Sequence, residues 1–433
     1  MKKVILIIYF LVGFAGLTNA QNKTKTILLF TGWQVSNIGD IGHTPGTLAT
    51  LEKYVPEANI ICWMRAMNPS IEQMIKSRFP SVRFVQGNII EYEKPENKAL
   101  KAAFDTCDLF IWNSGMHLNF GVFGKDWATP TWSLYPLNYA YSKGIPYVLY
   151  GHSFDKFDDN IHIAYRPTLD NAAMVLCRDK ESKKFLEDLG FKPKVLDFVP
   201  DAVFGLDVQN KSLAGAYLKA NGLKPQNFLS VIIRTNTPKI NAQSKQGDML
   251  NPATISGELM AENIHWMSKT RDIITWWVRN TKMKVLLAPE MDKEIKYAKE
   301  WVLDSLPPDV QKMVVWRNTF WNVDEANAIY ANAHTVFGIE PHSLIMALTS
   351  GVPVVHARPQ KHGRKGYMFR DIGLGEWLFD IDNDSSKVII EALKFIVNDY
   401  STARQKVSKS MNFVQIQQKE KMMNIRKIIK LNE

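Results

Sequence analysis

Glu340 and His342 carry the strongest chemical suggestion in the chain, flanking Pro341 in the run Gly338-Ile339-Glu340-Pro341-His342. A carboxylate and an imidazole this close can serve one reacting bond as acid and base, provided the backbone holds both toward a substrate. A second group sits near the front, in Thr31-Gly32-Trp33-Gln34-Val35-Ser36-Asn37-Ile38-Gly39-Asp40-Ile41-Gly42-His43. Its glycines let the backbone turn close to a ligand, its N–H groups can hold an anion, and Asp40 and His43 add acid–base capacity. A purely structural turn is an equal reading of that segment. Between these groups, His152-Ser153 and Arg178-Asp179 each follow an apolar run. Arg178, Arg234, Arg358, Lys361 and Arg364 are cations able to hold a carboxylate or phosphate. Plainer roles stand beside each assignment: Asp179 or Ser182 suits a helix start, Asp201 a turn, and His152 a satisfied loop position. His342 also admits a structural role, and Trp266, Trp276, Trp277 and His356 read as core.

The elements that must position these groups are legible as two alternating series. Short apolar runs at 26–30, 58–63, 82–85, 109–112, 147–150, 174–177 and 194–198 alternate with helical patterns such as 48–54 and 71–78. A second series places strands at 228–233, 284–288, 313–316, 335–338 and 352–356, with helices at 272–280, 323–331 and 343–350. Continuous apolar strands between helices predict α/β domains whose parallel sheets are covered on both faces. The expected layout is a doubly wound, Rossmann-like domain over 24–205, a second over 226–384, and terminal helices over 385–433. Ligands of such sheets bind beyond the carboxyl ends of the strands, so the loops above are where chemistry belongs.

The 433 residues are 46% hydrophobic and 22% charged, an ordinary globular balance with room for two cores. The formal charge of +10 favours anionic partners, but the basic residues are dispersed and no zinc spacing occurs, which argues against nucleic acid. Met1-Lys2-Lys3, the apolar run from Val4 to Leu17 and the small-residue stop at Ala20 form a secretory signal peptide over 1–20. The apolar run falls short of the ~20 residues a membrane span needs. An exported protein, periplasmic or secreted and without a membrane span, is expected. Cys62, Cys107 and Cys177 sit in apolar contexts and read as buried thiols, since their number and spacing suit neither a disulfide framework nor a metal site. No pattern indicates a metal or a tightly held cofactor.

The motifs, taken in order, resemble the polysaccharide pyruvyl transferases. Asn37-Ile38-Gly39-Asp40 resembles that family's opening N-x-G-D, and Gly151-His152-Ser153-Phe154 stands where the family has a G-Q-S-I-G-P-F-like loop. Arg178-Asp179-Lys180-Glu181-Ser182, leading to Leu189-Gly190, is similar to R-D-x-x-S followed by L-G. Pro200-Asp201-Ala202-Val203-Phe204 looks like P-D-x-x-F. Gly338 to His342, then Ala347-Leu348 and Gly351-Val352-Pro353-Val354, is similar to G-x-R-L-H and A-L-x-x-G-V-P-V. The resemblance implies two Rossmann-like domains of the GT-B kind and the building of a pyruvate ketal on two sugar hydroxyls, with phosphoenolpyruvate as donor. In that chemistry Asp40, His152 and His342 are candidate acid–base groups, and in hydrolysis of a ketal Glu340 with His342. Asn37, Gly39, Ser153 and the five cations named above are candidate binding residues.

Two departures bear on direction. Glu340 stands where the family has arginine, and Pro341 where it has leucine; a carboxylate repels an anionic donor that arginine would hold. The basic stretch from Arg358 to Lys365 is a candidate compensation. An exported chain also lacks access to cytoplasmic phosphoenolpyruvate, whereas hydrolysis of an existing ketal needs only water and a proton donor. Pyruvyl transfer, ketal hydrolysis, a GT-B-like glycosyl transfer and non-catalytic carbohydrate binding therefore all remain open at this stage.

Overall fold

Among the described residues, thirteen strands build two wholly parallel sheets. The computed structural model of the chain describes residues 25–121, 125, 128–236 and 257–431; the leader expected at 1–20 lies outside the described residues. The first sheet comprises β1 (Lys25–Thr31), β2 (Ala58–Met64), β3 (Arg83–Val85), β4 (Leu109–Trp112), β5 (Tyr147–His152), β6 (Met174–Cys177) and β7 (Leu196–Phe198). Its spatial order is β3-β2-β1-β4-β5-β6-β7. The second comprises β8 (Phe228–Ile232), β9 (Lys284–Ala288), β10 (Val314–Trp316), β11 (Thr335–Gly338), β12 (Val354–Arg358) and β13 (Leu378–Asp380), in the order β10-β9-β8-β11-β12-β13. Both orders reverse direction at one place, between β1 and β4 and between β8 and β11. In doubly wound sheets that switch point is where a crevice opens.

The central strands are apolar throughout because helices cover both faces: every residue of β4, β6 and β8 is buried. Trp266 and Trp277 are fully buried in the second domain, as expected of core residues, while Trp276 is only partly covered. Cys62 and Cys177 are buried free thiols, and Cys107 is half-buried. Burial pushes the Cys107 thiol up to about 12, which makes it unreactive at neutral pH.

The glycine-rich segment before Leu48 is a helix, not a turn. It runs Ile38–Tyr54, ten residues earlier than its apolar pattern predicts, and Asn37 caps it by accepting from the backbone N–H groups of Gly39 and Asp40. Its glycines give little pattern because they serve packing. A Cβ on Gly46 would lie 2.1 Å from the carbonyl oxygen of Ala202, and one on Gly39 2.3 Å from Nδ1 of His342. The stretch 205–225 carries an unexpected helix, Lys211–Ala220, between the two sheets. The last helix, Tyr400–Ile428, crosses back to the first domain, where Arg426 makes a two-pronged ion pair with Glu57 at 2.6 and 2.9 Å. Among the described residues no helix is long and apolar enough to cross a membrane.

Candidate active site

The loops beyond the switch points of the two sheets meet face to face. The backbone of Ile38 donates to the carbonyl of Glu290 at 3.0 Å, and Asp292 donates to Ser36 at 3.1 Å, so the start of the first helix is sewn to the loop after β9. Beside this seam lies a cleft of about 850 Å³ lined from both domains. The first contributes Trp33, Asn37, Asp40, His43, Arg65, His117 and Arg178; the second contributes Arg234, Met291, Glu340, His342 and Lys365.

His342 is held where β11 gives way to the helix Pro341–Thr349. Pro341 takes the first helical position, where its missing N–H costs nothing, which accounts for a proline in this motif. Nδ1 of His342 lies 3.0 Å from a carboxylate oxygen of Glu290, whose other oxygen accepts from the backbone and hydroxyl of Ser343 at 2.9 and 2.8 Å. Gly39 permits the imidazole to pack directly on the first helix. Burial works to lower the pKa of His342, but Glu290 and, farther off, Asp201 outweigh it and raise the value above the usual histidine range. The second nitrogen, Nε2, is buried and has no hydrogen-bond partner. A histidine anchored on one nitrogen by a carboxylate and unpaired on the other has a proton to give to a group that reaches it.

Glu340, two residues earlier at the helix cap, forms a 3.0 Å ion pair with Arg234 and lies 3.8 Å from the ammonium of Lys365. Burial alone would raise its pKa; Lys365 and then Arg234 overcome this and hold the carboxyl far below its ordinary value. Lys365 in turn has its pKa lowered, by burial first and with Glu340 opposing. The cation compensation expected from Arg358 to Lys365 thus arrives through Lys365 alone. Arg358 bonds Tyr367 at 2.9 Å, Lys361 pairs with Glu262, and Arg364 reaches across the domains to Phe154 and Asp155. None of these three lines the cleft.

The floor on the first-domain side is a closed polar network. Arg178 donates to Asp201 at 2.7 Å and to Ser153 at 2.8 Å, and the hydroxyl of Ser153 donates to Asp179 at 2.7 Å. Asp201 also meets His43 at 3.3 Å and accepts from Ser114 at 3.1 Å. Burial would raise the pKa of Asp201, yet His43 and Arg178 hold it well below the carboxylate range. Asp201 caps the turn after β7 by accepting from Val203 at 2.8 Å, so its turn role and its charge role coexist. His152 does not line the cleft. Its Nε2 accepts from the backbone of Leu118 at 3.1 Å and burial lowers its pKa well below the ordinary value, which makes it a neutral structural ring.

The structure therefore brings Asn37, Asp40, Arg178, Arg234, Glu340 and His342 to one cleft, with Gly39 and Ser153 directly behind them. Sequence reasoning missed Arg65 and above all Glu290 as members of the site, and named Lys365 only within its basic stretch. Glu290 was findable: it follows the apolar run 284–288 by two residues, at the carboxyl end of a strand. Among the described residues, His43, Asp201 and His342 form one group with metal-ligand spacing, and Glu290, Glu340 and His342 another. In both, the carboxylates already serve histidines and arginines, and Arg178 and Arg234 oppose a further cation.

A sequence model of the polysaccharide pyruvyl transferases matches residues 37–359, from the capping asparagine to the end of β12. The chain belongs to that family. No curated protein sequence matches it. Its backbone is similar to that of HepE from Anabaena in complex with UDP and glucose, at 11% identity and a TM-score of 0.55, covering 93% of this chain and 99% of that one. MnaA of S. aureus with UDP is similar at 11% identity and a TM-score of 0.54, covering 94% of this chain and 98% of the other. The UDP-GlcNAc 2-epimerase of Neisseria meningitidis is similar at 11% identity and a TM-score of 0.54, over 93% of this chain and all of the other. At such identities the likeness is one of fold, that of the GT-B glycosyltransferases and epimerases. It agrees with the two Rossmann-like domains expected of this pyruvyl transferase-family chain.

Proposed function

We propose that the chain is an exported enzyme that acts on the pyruvate ketals of a polysaccharide, with His342 as its proton donor. The observation that carries the reading is the state of His342: fixed on Nδ1 by Glu290, unpaired on a buried Nε2, and lining a cleft that also holds Arg178, Arg234, Arg65 and Lys365. In the transfer direction, Nε2–H protonates the methylene carbon of phosphoenolpyruvate. The cation left at the neighbouring carbon takes one sugar hydroxyl, and the second hydroxyl displaces phosphate, closing the ketal. Arg234 and Lys365 hold carboxylate and phosphate through these steps. Asp40, at the first helix's start, takes the proton of one hydroxyl, and His342, neutral once it has protonated the methylene carbon, takes that of the other as phosphate leaves.

Glu340 favours a second reading, hydrolysis of the ketal. Its carboxylate offsets the charge of Arg234 and Lys365, leaving less cationic field for a donor that carries both carboxylate and phosphate, and enough for the single carboxylate of a ketal. An oxygen of Glu340 and a nitrogen of His342 lie within 4.8 Å, so the Glu340 carboxylate would orient a water beside an acid that protonates the leaving sugar oxygen. Export, read from the leader at 1–20, supports the same direction because it removes the chain from cytoplasmic donors. Two incubations separate the readings: a pyruvylated polysaccharide assayed for free pyruvate, and the depyruvylated polymer with phosphoenolpyruvate assayed for phosphate. Turnover in neither would leave only carbohydrate binding.

A further inference from the structure

A second cavity of about 530 Å³ adjoins the cleft, at the carboxyl ends of β1, β2 and β3. The two share Val35, Arg65 and Ala66, so Arg65 stands at their junction. The walls are aromatic. Trp63 is fixed by stacking on Phe30 at 3.9 Å and by donating its indole N–H to the carbonyl of Gly87 at 3.0 Å. Gly87, at φ +137°, turns the chain where a Cβ would lie 2.4 Å from Oδ1 of Asn97, and the turn leaves the amides of Gln86 and Asn88 exposed at the rim.

Arg65 is an exposed residue whose guanidinium lies 4.3 Å from the ring centre of Trp132. Stacking holds it flat while leaving its N–H edge open. Among the described residues no carboxylate forms an ion pair with it; Asp40, in the cleft, acts on it only through space. Aromatic edges, rim amides and one oriented cation make a surface that bonds a sugar's hydroxyls and recognises an anionic substituent. The cavity contains none of the acid–base residues, which face the first cleft, so it binds and does not react.

We propose that this cavity is a subsite for an anionic sugar residue adjacent to the one whose hydroxyls or ketal react, with Arg65 recognising that residue's carboxylate or sulfate. The proposal rests on the reading that the substrate is a carbohydrate polymer, and on no particular direction of its chemistry. It is tested by calorimetric binding of trigalacturonate, a sulfated galactotriose and neutral galactotriose to the full chain, without turnover. The wild type should bind at least one acidic trisaccharide about 10-fold more tightly than the neutral one, as a charge-assisted contact provides. Arg65→Gln should erase that difference and leave neutral binding unchanged. Asn88→Asp retains the cap on the turn that follows but sets a like charge at the rim, so it should weaken acidic binding alone. Preference for carboxylate over sulfate, or the reverse, identifies the substituent. Equal binding of acidic and neutral trisaccharides, a preference that survives Arg65→Gln, or an Asn88→Asp chain that binds acidic sugar like wild type would overturn the subsite. Because binding is read directly, an absence of pyruvate chemistry would sink the proposed function and leave this result standing.

Discussion

Arg178 and Arg234 approach the same cleft from opposite domains, and they are tied down in different ways. Arg178 is 2% exposed and its partner Asp201 is wholly buried; every charge there is matched, and Ser153, Ser114 and His43 complete the network. The Arg234 side chain is 23% exposed, and its partner Glu340 is shared with Lys365 at 3.8 Å, on the cleft wall. The difference teaches which cations build the site and which remain available to a ligand. A closed ion pair beneath a domain junction resists change; a carboxylate poised between two cations can be displaced or outbid by an incoming anion.

The largest expected effect breaks the closed pair. Asp201→Ala leaves Arg178 buried without a counter-charge and should cost ~3–5 kcal/mol of stability, read as a lower urea midpoint. The pH dependence has a definite sign. Asp201 has a depressed pKa when folded, so its stabilisation is present above its unfolded pKa and is lost as pH falls through the folded value. The gap between wild type and Asp201→Ala should therefore persist at neutral pH and narrow only in strong acid. A silent Asp201→Ala would erase the contrast between the two arginines.

Next comes the contact between domains. Gly39→Ala puts a methyl group into the imidazole of His342 and should lower turnover ~10²-fold by misplacing the proton donor. The circular dichroism spectrum should stay native, because the substitution lies in a helix that alanine favours. The smallest effect belongs to the open pair. Glu340→Gln should lower thermal stability less than Asp201→Ala does, because Arg234 keeps contact with solvent, and should raise affinity for pyruvate or phosphoenolpyruvate about 10-fold, as Arg234 and Lys365 lose their internal competitor. If ketal hydrolysis is the reaction, the same variant should release no pyruvate. Tighter anion binding together with undiminished hydrolysis would remove Glu340 from the chemistry.

Much of this arrangement was readable before any coordinates. The strands at 109–112 and 174–177 fall where their apolar runs do, because a strand buried on both faces has no polar residue to blur its ends. The helix Ile38–Tyr54 was half hidden, since Gly39, Gly42 and Gly46 are present for close packing and dilute the apolar period. The helices Lys98–Thr106, Ala128–Ser142 and His162–Asp170 went unread, the last two interrupted by Pro136 and Pro167. At the site, the motifs led to Asn37, Asp40, Arg178, Glu340 and His342, which converge on the cleft. Arg358, Lys361 and Arg364 do not, because a basic run fixes charge but not direction, and the turn after β12 aims only Lys365 inward. Glu290 lay in no motif, and its role depends on a contact between distant segments that no local pattern encodes.

The account turns on His342, and turnover of His342→Ala on a pyruvylated polysaccharide, or on its depyruvylated form with phosphoenolpyruvate, tests it most directly. Because Glu290 raises the pKa of His342, the proton donor is lost only as pH climbs through that raised value, so wild-type activity should fall on the alkaline side of the ordinary histidine pKa. The variant should run ~10²–10⁴-fold slower and lose that alkaline limb, while unfolding within a few degrees of wild type. A His342→Ala chain that turns over its substrate at the wild-type rate, with the same pH profile, would contradict the site assigned here.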